Sequence, residues 1–291
     1  MLKSLSLDRE TRPPALQPLA DKPLTVIEPG KSWKMNFRDL WRYRELFYFL
    51  IWRDIKVRYK QTALGIVWVV LQPALTTLVF TVFFGVLARV PSGGKPYPLL
   101  VYTGLLPWTF FSNAVAGGAN SLVTNASLIT KVYFPRMLIP VAAVGARLVD
   151  FAIALLFLIP LMIYFKVTAT LNLLLLPFLI LLLTWFSVGI IVWLSALNVR
   201  FRDVGIVIPM LVQLWMFVTP VAYSSDLIPR KWQWLYFLNP LAGIVENFRA
   251  AILGLDFHWT ALAYSTIITL LIFVQAAYFF RRMERTFSDI I

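Results

Sequence analysis

Six long apolar runs, at 64–88, 99–123, 138–165, 173–197, 204–223 and 259–280, leave this chain few ways to fold. A helix rises 1.5 Å per residue, so about 20 apolar residues cross the ~30 Å hydrocarbon core of a bilayer. Each run is that long or longer. The chain is 59% hydrophobic and only 14% charged, against about 25% charged in soluble domains. That leaves too few polar side chains to cover a water-facing surface. The expectation is an all-α, polytopic membrane protein with six transmembrane helices between 63 and 281. The second run is the least regular, because Asn113, Gly117, Gly118 and Asn120 interrupt its second half.

The net charge of +13 is unevenly placed. Thirteen of the 27 lysines and arginines lie between Lys3 and Lys60, and the remainder are scattered between the apolar runs. A basic segment beside a first span commonly faces the cytoplasm and its anionic lipids. No nucleic-acid-binding signature accompanies the charge, so nucleic acid is not an expected partner. With the N-terminus inside, the inner segments hold twenty basic residues and the outer ones six, Arg147 falling within the third run. This asymmetry predicts both termini on the cytoplasmic side of a bacterial inner membrane. The first residues lack the apolar core and cleavage site of a signal peptide.

Residues 1–35 carry Pro13, Pro14, Pro18, Pro23 and Pro29 and read as a disordered cytoplasmic arm. Over 36–62, Phe37, Leu40, Trp41, Phe47, Leu50, Ile51 and Ile55 recur at helical spacing. Arg38, Arg42, Arg53, Lys56 and Lys60 lie largely off that stripe. The pattern predicts an amphipathic helix lying in the membrane interface. Between the fifth and sixth runs, 225–257 holds two apolar pieces around Asn239-Pro240, each too short to cross, and these predict short re-entrant or interfacial helices. Residues 282–291 form a cytoplasmic tail.

Catalytic chemistry is hard to find. The chain has no cysteine and one histidine, His258. Gly93-Gly94-Lys95 lacks the spacing and hydroxyl residue of a phosphate-binding loop. No carboxylate or histidine cluster suggests a glycan-transferring enzyme, and no metal site is expected. The clear ionisable residues inside a span are Arg147 and Asp150, three apart on one helix face, where they can neutralise each other. That is a meagre endowment for an ion-coupled carrier. A pump without ion coupling or a nucleotide site draws its energy from a separate ATPase.

Specific motifs point the same way. The stretch from Trp52 through Arg53, Asp54, Ile55, Lys56, Val57, Arg58, Tyr59, Lys60 and Gln61 to Thr62, followed by Gly65, Trp68 and Gln72-Pro73, resembles the opening of the type-2 ABC exporter permeases for polysaccharide. Those include the O-antigen, capsule and teichoic-acid exporters. Lys131-Val132-Tyr133-Phe134-Pro135-Arg136 is similar to the cytoplasmic stretch after their second span. The run from Asn198 to Val204 is similar to the loop before their fifth span, and Tyr236 to Leu241 to an outer loop.

The resemblance, over about 36–285, implies a homodimeric permease, free of cofactors itself, that works with two nucleotide-binding subunits carrying ATP and Mg²⁺. Its cargo would be a polyprenyl-linked glycan. It further implies that Trp52, Arg53, Asp54, Lys56, Arg58, Lys131, Tyr133, Phe134, Pro135 and Arg136 couple to the ATPase, Tyr133, Phe134 and Pro135 forming a compact apolar knob. A glycan channel would draw on Trp68, Gln72, Trp108, Phe110, Phe111, Asn113, Trp185, Trp193, Gln213, Trp215 and Tyr223. Asn239, Pro240, Glu246 and Arg249 would belong to an outer gate, with Glu246 and Arg249 as gate or dimer contacts. An exporter of lipid or drug with the same architecture, and less readily a membrane glycan-transferring enzyme, remain the alternatives.

Overall fold

The computed structural model describes residues 41–60, 65–284 and 287, and all its regular elements are helical. The expected arm at 1–35 and most of the tail at 282–291 lie outside the described residues. Helix α1 is Arg44–Tyr59. Helix α2, Val67–Phe80, runs on as a π-helical turn, Thr81–Leu87. Helix α3 is Tyr97–Ala119, followed by two short helices, α4 Ser121–Thr124 and α5 Ala126–Lys131. Helix α6 is Leu138–Tyr164, and a 3₁₀ turn, Leu171–Leu175, leads into α7, Leu176–Arg200. Then come α8 Val204–Val218, α9 Arg230–Tyr236, α10 Pro240–Leu253 and α11 Trp259–Glu284.

Five helical segments are long and apolar enough to cross a membrane: Val67–Leu87, Tyr97–Ala119, Leu138–Tyr164, Leu171–Arg200 and Trp259–Glu284. The expected fifth run, 204–223, differs. Its helix stops at Val218 after 15 residues, about 22 Å of rise and short of the hydrocarbon thickness. The chain then turns, and Arg249 captures the carbonyls of Pro220, Val221 and Tyr223.

The least regular run becomes the centre of the bundle. Helix α3 packs against α6, α7, α10 and α2, and most of its side chains are buried. Its glycines are packing sites. A Cβ on Gly118 would lie 2.3 Å from Ile191 Cγ2 of α7, and one on Gly104 would lie 2.6 Å from the Val221 carbonyl. Small residues let helices approach closely where lipid supplies no hydrophobic push between them.

Two large apolar clusters make most of the core, with a small third one at Phe237, Ala242 and Ala261. One surrounds α3 with parts of α6, α7 and α10. The other joins Leu50 of α1 to Leu122, Ile129, Phe134, Leu138, Val192, Phe280 and Phe287. Helix α1 therefore docks on the bundle. Leu50 is buried, Phe47 and Ile51 pack beside it, and Ile51 sits where Gly145 of α6 leaves room. Of the stripe expected to meet the bilayer, Phe47, Leu50 and Ile51 are turned inward, while Trp41 is exposed. Tyr48, Phe49 and Trp52 point outward instead, with Lys56 over the Trp52 ring at 5.4 Å. Outward aromatic and basic side chains suit a membrane–water boundary.

Helix α10 is buried at every residue. Its 14 residues rise about 21 Å, so it enters the bundle without crossing it. Asn239 caps it by accepting from Leu241 N, Pro240 occupies the first helical position, and Gly254 closes it at φ +65°. Asn247 spans the joint to α11, donating to the Gly243 and His258 carbonyls and accepting from His258 N. Helix α9, by contrast, buries none of its residues.

Candidate functional site

Three side chains converge on one carboxylate. Tyr59 donates its hydroxyl to one oxygen of Asp150 and Arg58 donates to the other. Arg147, one helical turn before Asp150, reaches that second oxygen at 3.4 Å. The expected pair is thus present, but Arg58 of α1 is the closer partner. Its guanidinium is turned into the protein, which binds α1 to α6. Burial first, then the hydrogen bond to Asp150, push the Tyr59 hydroxyl up to about 12.

These four residues close one end of a cavity of about 180 Å³ between α1, α2, α3 and α6. Its walls include Trp68, Gln72, Phe110 and Asn113, four of the residues expected near a substrate. The remaining seven lie elsewhere. Trp108 and Phe111 are buried, and Phe111 stacks on Phe186 and meets the edge of Trp215 at 5.2 Å. Trp185 and Trp193 project from α7, beside Phe273 and Phe279 of α11, and Gln213 is exposed on α8. Tyr223 donates to the Phe217 carbonyl and accepts from Tyr236. The structure does not gather the eleven into one lining.

The loop after α5 is anchored at two points. Phe134 is only 4% exposed and belongs to the second core cluster. Arg136 donates its backbone N–H to the Glu284 carboxylate at 3.1 Å and its side chain to the Glu284 carbonyl at 2.8 Å. Between these anchors and α5, Tyr133 is 71% exposed and Val132 is exposed beside it. The expected knob is therefore split: Phe134 is the root and Tyr133 the tip. Lys131 is exposed, while Pro135 is half-buried. On α1, Arg53 pairs with its neighbour Asp54 at 2.8 Å.

Arg249 is 1% exposed and spends its guanidinium on backbone. It donates to the carbonyls of Leu100, Pro220, Val221 and Tyr223 and to the Glu246 carboxylate at 3.3 Å. Glu246 also accepts from Ser225 N at 2.6 Å. Asn239 adds to this by accepting from the Trp215 indole and donating to the Val218 carbonyl and the Thr219 hydroxyl. Together they hold the 218–225 turn against α3 and α10. Buried this deeply, Glu246 and Arg249 bind parts of the fold to one another.

A second polar joint has little signature in the sequence. Asn198, near the end of α7, donates to the Ala119 carbonyl and the Asn120 side chain and accepts from Gly205 N. It ties the end of α3 to the start of α8. Its only sequence signal was its place in the Asn198-to-Val204 motif. Tyr59 was likewise visible only as a motif member beside Arg58. Among the described residues, no group of three or more His, Cys, Asp or Glu side chains gathers to hold a metal.

Known proteins resemble this chain in sequence. The chain is 33% identical over 217 residues, 73% of its length and 82% of the relative, to an O-antigen export system permease protein, RfbA, of Myxococcus xanthus. It is 28% identical over 242 residues, 82% of its length and 92% of the relative, to the protein of that name in Klebsiella pneumoniae. The polysialic acid transport protein KpsM of Escherichia coli is 26% identical over 251 residues, covering 81% of this chain and 92% of the relative. Residues 45–253, from the start of α1 to the end of α10, match the ABC-2 type transporter family, and this multi-pass membrane protein belongs to that family.

Proposed function

We propose that the chain is the permease of an ATP-driven exporter carrying a lipid-linked polysaccharide of the O-antigen type across the bacterial inner membrane. Two copies form the pathway and two nucleotide-binding subunits drive it, with ATP and Mg²⁺ held on those subunits and no ATPase site in this chain. The family supports the ATP-binding partner. Relatives named for O-antigen export and polysialic acid transport support the cargo. The excess of basic residues on the inner segments supports cytoplasmic termini.

The observation that carries the reading is the loop ending at Arg136. Its exposed tip, Tyr133, stands on a buried root, Phe134, and is tied through Arg136 to the end of α11. Helix α6 begins two residues later and carries Asp150, which holds Arg58 and Tyr59 of α1. A push on Tyr133 therefore reaches α1, α6 and α11 together. Lys131, Trp52 and Lys56 offer further exposed contacts for an ATPase. On the substrate side, Trp68 and Gln72 beside the cavity, Trp185 and Trp193 on α7 and Gln213 on α8 are open to a glycan. Asn239, Pro240, Glu246 and Arg249 set the position of the outer turn that closes the exit.

The test is to reconstitute the chain with its nucleotide-binding subunit in lipid nanodiscs. ATP hydrolysis is then compared with and without lipid-linked glycan. Hydrolysis that responds to glycan, with the response reduced at least five-fold by Tyr133→Ala in an intact complex, is the expected result. Failure of any nucleotide-binding subunit to associate would overturn the proposal. A response to small lipids or drugs but not to glycan would overturn the cargo.

A further inference from the structure

The inner end of α8 takes its cap from another helix. The first N–H groups of a helix have no partner within it, and a side chain at the capping position usually supplies one. At α8 that position is held by Asp203, whose side chain does not cap the helix. Asn198 of α7 does so instead, accepting from Gly205 N at 2.8 Å, closer than the Arg202 carbonyl at 3.2 Å that shares this N–H. The same amide donates to the Ala119 carbonyl at the end of α3, at 3.1 Å, and to the Asn120 side chain at 2.9 Å. One buried side chain thus holds the end of one helix and the start of another. Gly205 lets them meet: a Cβ there would lie 2.6 Å from Asn120 Oδ1 and 3.0 Å from Asn198 Oδ1.

The loop that carries Tyr133 lies on one side of this joint, and a lightly packed helix on the other. Leu122, Ile129 and Phe134 share one apolar cluster, so α4, α5 and the root of the loop form a single packed piece that ends beside Asn120. Helix α8 buries Ile208 and Val212 and leaves Ile206, Met210, Leu211, Leu214 and Phe217 exposed. Asn239 fastens its outer end through Trp215, Val218 and Thr219. A helix with few buried side chains between two polar fastenings tilts as its ends are moved.

We propose that Asn198 is a positioning residue of transport: its amide makes the inner end of α8 follow the loop that carries Tyr133, and so passes a push on that loop to α8. The transport role rests on the permease reading above; the mechanical link does not. The link is therefore measured first on the purified full chain alone, in lipid nanodiscs. Spin labels are placed at Thr130→Cys of α5 and Met210→Cys of α8, both exposed, with labelled chain diluted into unlabelled chain. Double electron–electron resonance should give one narrow distance distribution. Asn198→Asp keeps the acceptor for Gly205 N but sets an oxygen against the Ala119 carbonyl, and should broaden it. Gly205→Ala favours helix formation yet wedges a methyl against Asn120, and should broaden it too. Asn120→Asp keeps an acceptor for Asn198 and should leave it narrow.

The same variants are then assayed with the nucleotide-binding subunit, reading the ratio of glycan-stimulated to basal ATP hydrolysis. A purely structural role lowers both rates together and leaves the ratio alone. Loss of transmission is expected to cut the ratio about five-fold or more in Asn198→Asp and Gly205→Ala. The half-saturating glycan concentration should stay the same, and Asn120→Asp should retain most of the ratio. An unaltered complex that ignores glycan would sink the permease reading, and the link is then decided by the spin labels. Narrow distributions in both Asn198→Asp and Gly205→Ala, or an unchanged ratio in these folded variants, would overturn the proposal.

Discussion

Arg249 shows how one side chain can set local architecture. Five acceptors meet a guanidinium that water scarcely reaches. Breaking a buried charged pair by removing one partner costs about 3–5 kcal/mol, because the other is left uncompensated. Arg249→Met is expected to lose stability of that order, strand Glu246 and the turn carbonyls, and lower the melting temperature of the detergent-solubilised chain. The Asp150 cluster gives a pH-dependent counterpart. The Tyr59 phenol is raised from 10.0 to about 12 in the folded chain. A folded value above the unfolded one means that its stabilising contribution is complete below pH 10 and disappears as pH climbs through about 12. Alkaline titration followed by tyrosinate absorbance should therefore show a late-ionising component that is missing from Tyr59→Phe, read as the difference between the two chains. Full ionisation of every difference signal by pH 10 would contradict the contact.

Among the elements, the loop between α5 and α6 separates two kinds of residue that look alike in sequence. Phe134 is packed with Leu50, Leu138 and Phe280, so Phe134→Ala should cost about 3–5 kcal/mol through the cavity it leaves. Tyr133 is exposed, so Tyr133→Ala should change stability by no more than about 0.5 kcal/mol. Thermal melts of the two variants check the pair, and equal destabilisation would mean that both rings are buried. Any loss of ATPase coupling in Tyr133→Ala then reports on contact with the partner, whereas in Phe134→Ala it is mixed with unfolding. Helix α1 behaves similarly. Its inward stripe, Phe47, Leu50 and Ile51, holds it to the bundle, and its outward aromatics are left for the boundary.

For the whole molecule, orientation is open to direct measurement, since the absence of native cysteine gives a clean background for labelling. Thr168→Cys lies between α6 and α7, on the expected outer side, and Thr130→Cys at the end of α5, on the inner side; both positions are exposed. A membrane-impermeant maleimide added to intact spheroplasts should label the first and reach the second only after permeabilisation. The reverse pattern would invert the topology.

Hydrophobic length and the placement of lysine and arginine needed no tertiary information. A lipid solvent imposes a minimum run and charges sort by side, so the sequence by itself determined a helical membrane protein, its main long helices and its family motifs. Residue order alone also set Arg147 and Asp150 one turn apart. Only the tertiary structure decided that Arg58 is the nearer partner of Asp150, that Phe134 points in while Tyr133 points out, that α8 stops at Val218, and that α10 is core throughout. Each of these depends on which neighbour fills a space or captures a carbonyl from a distant part of the chain. Periodicity along one helix holds no record of that: Trp108, buried, and Trp185, exposed, are both tryptophans in long apolar runs, and what separates them is the helix packed alongside.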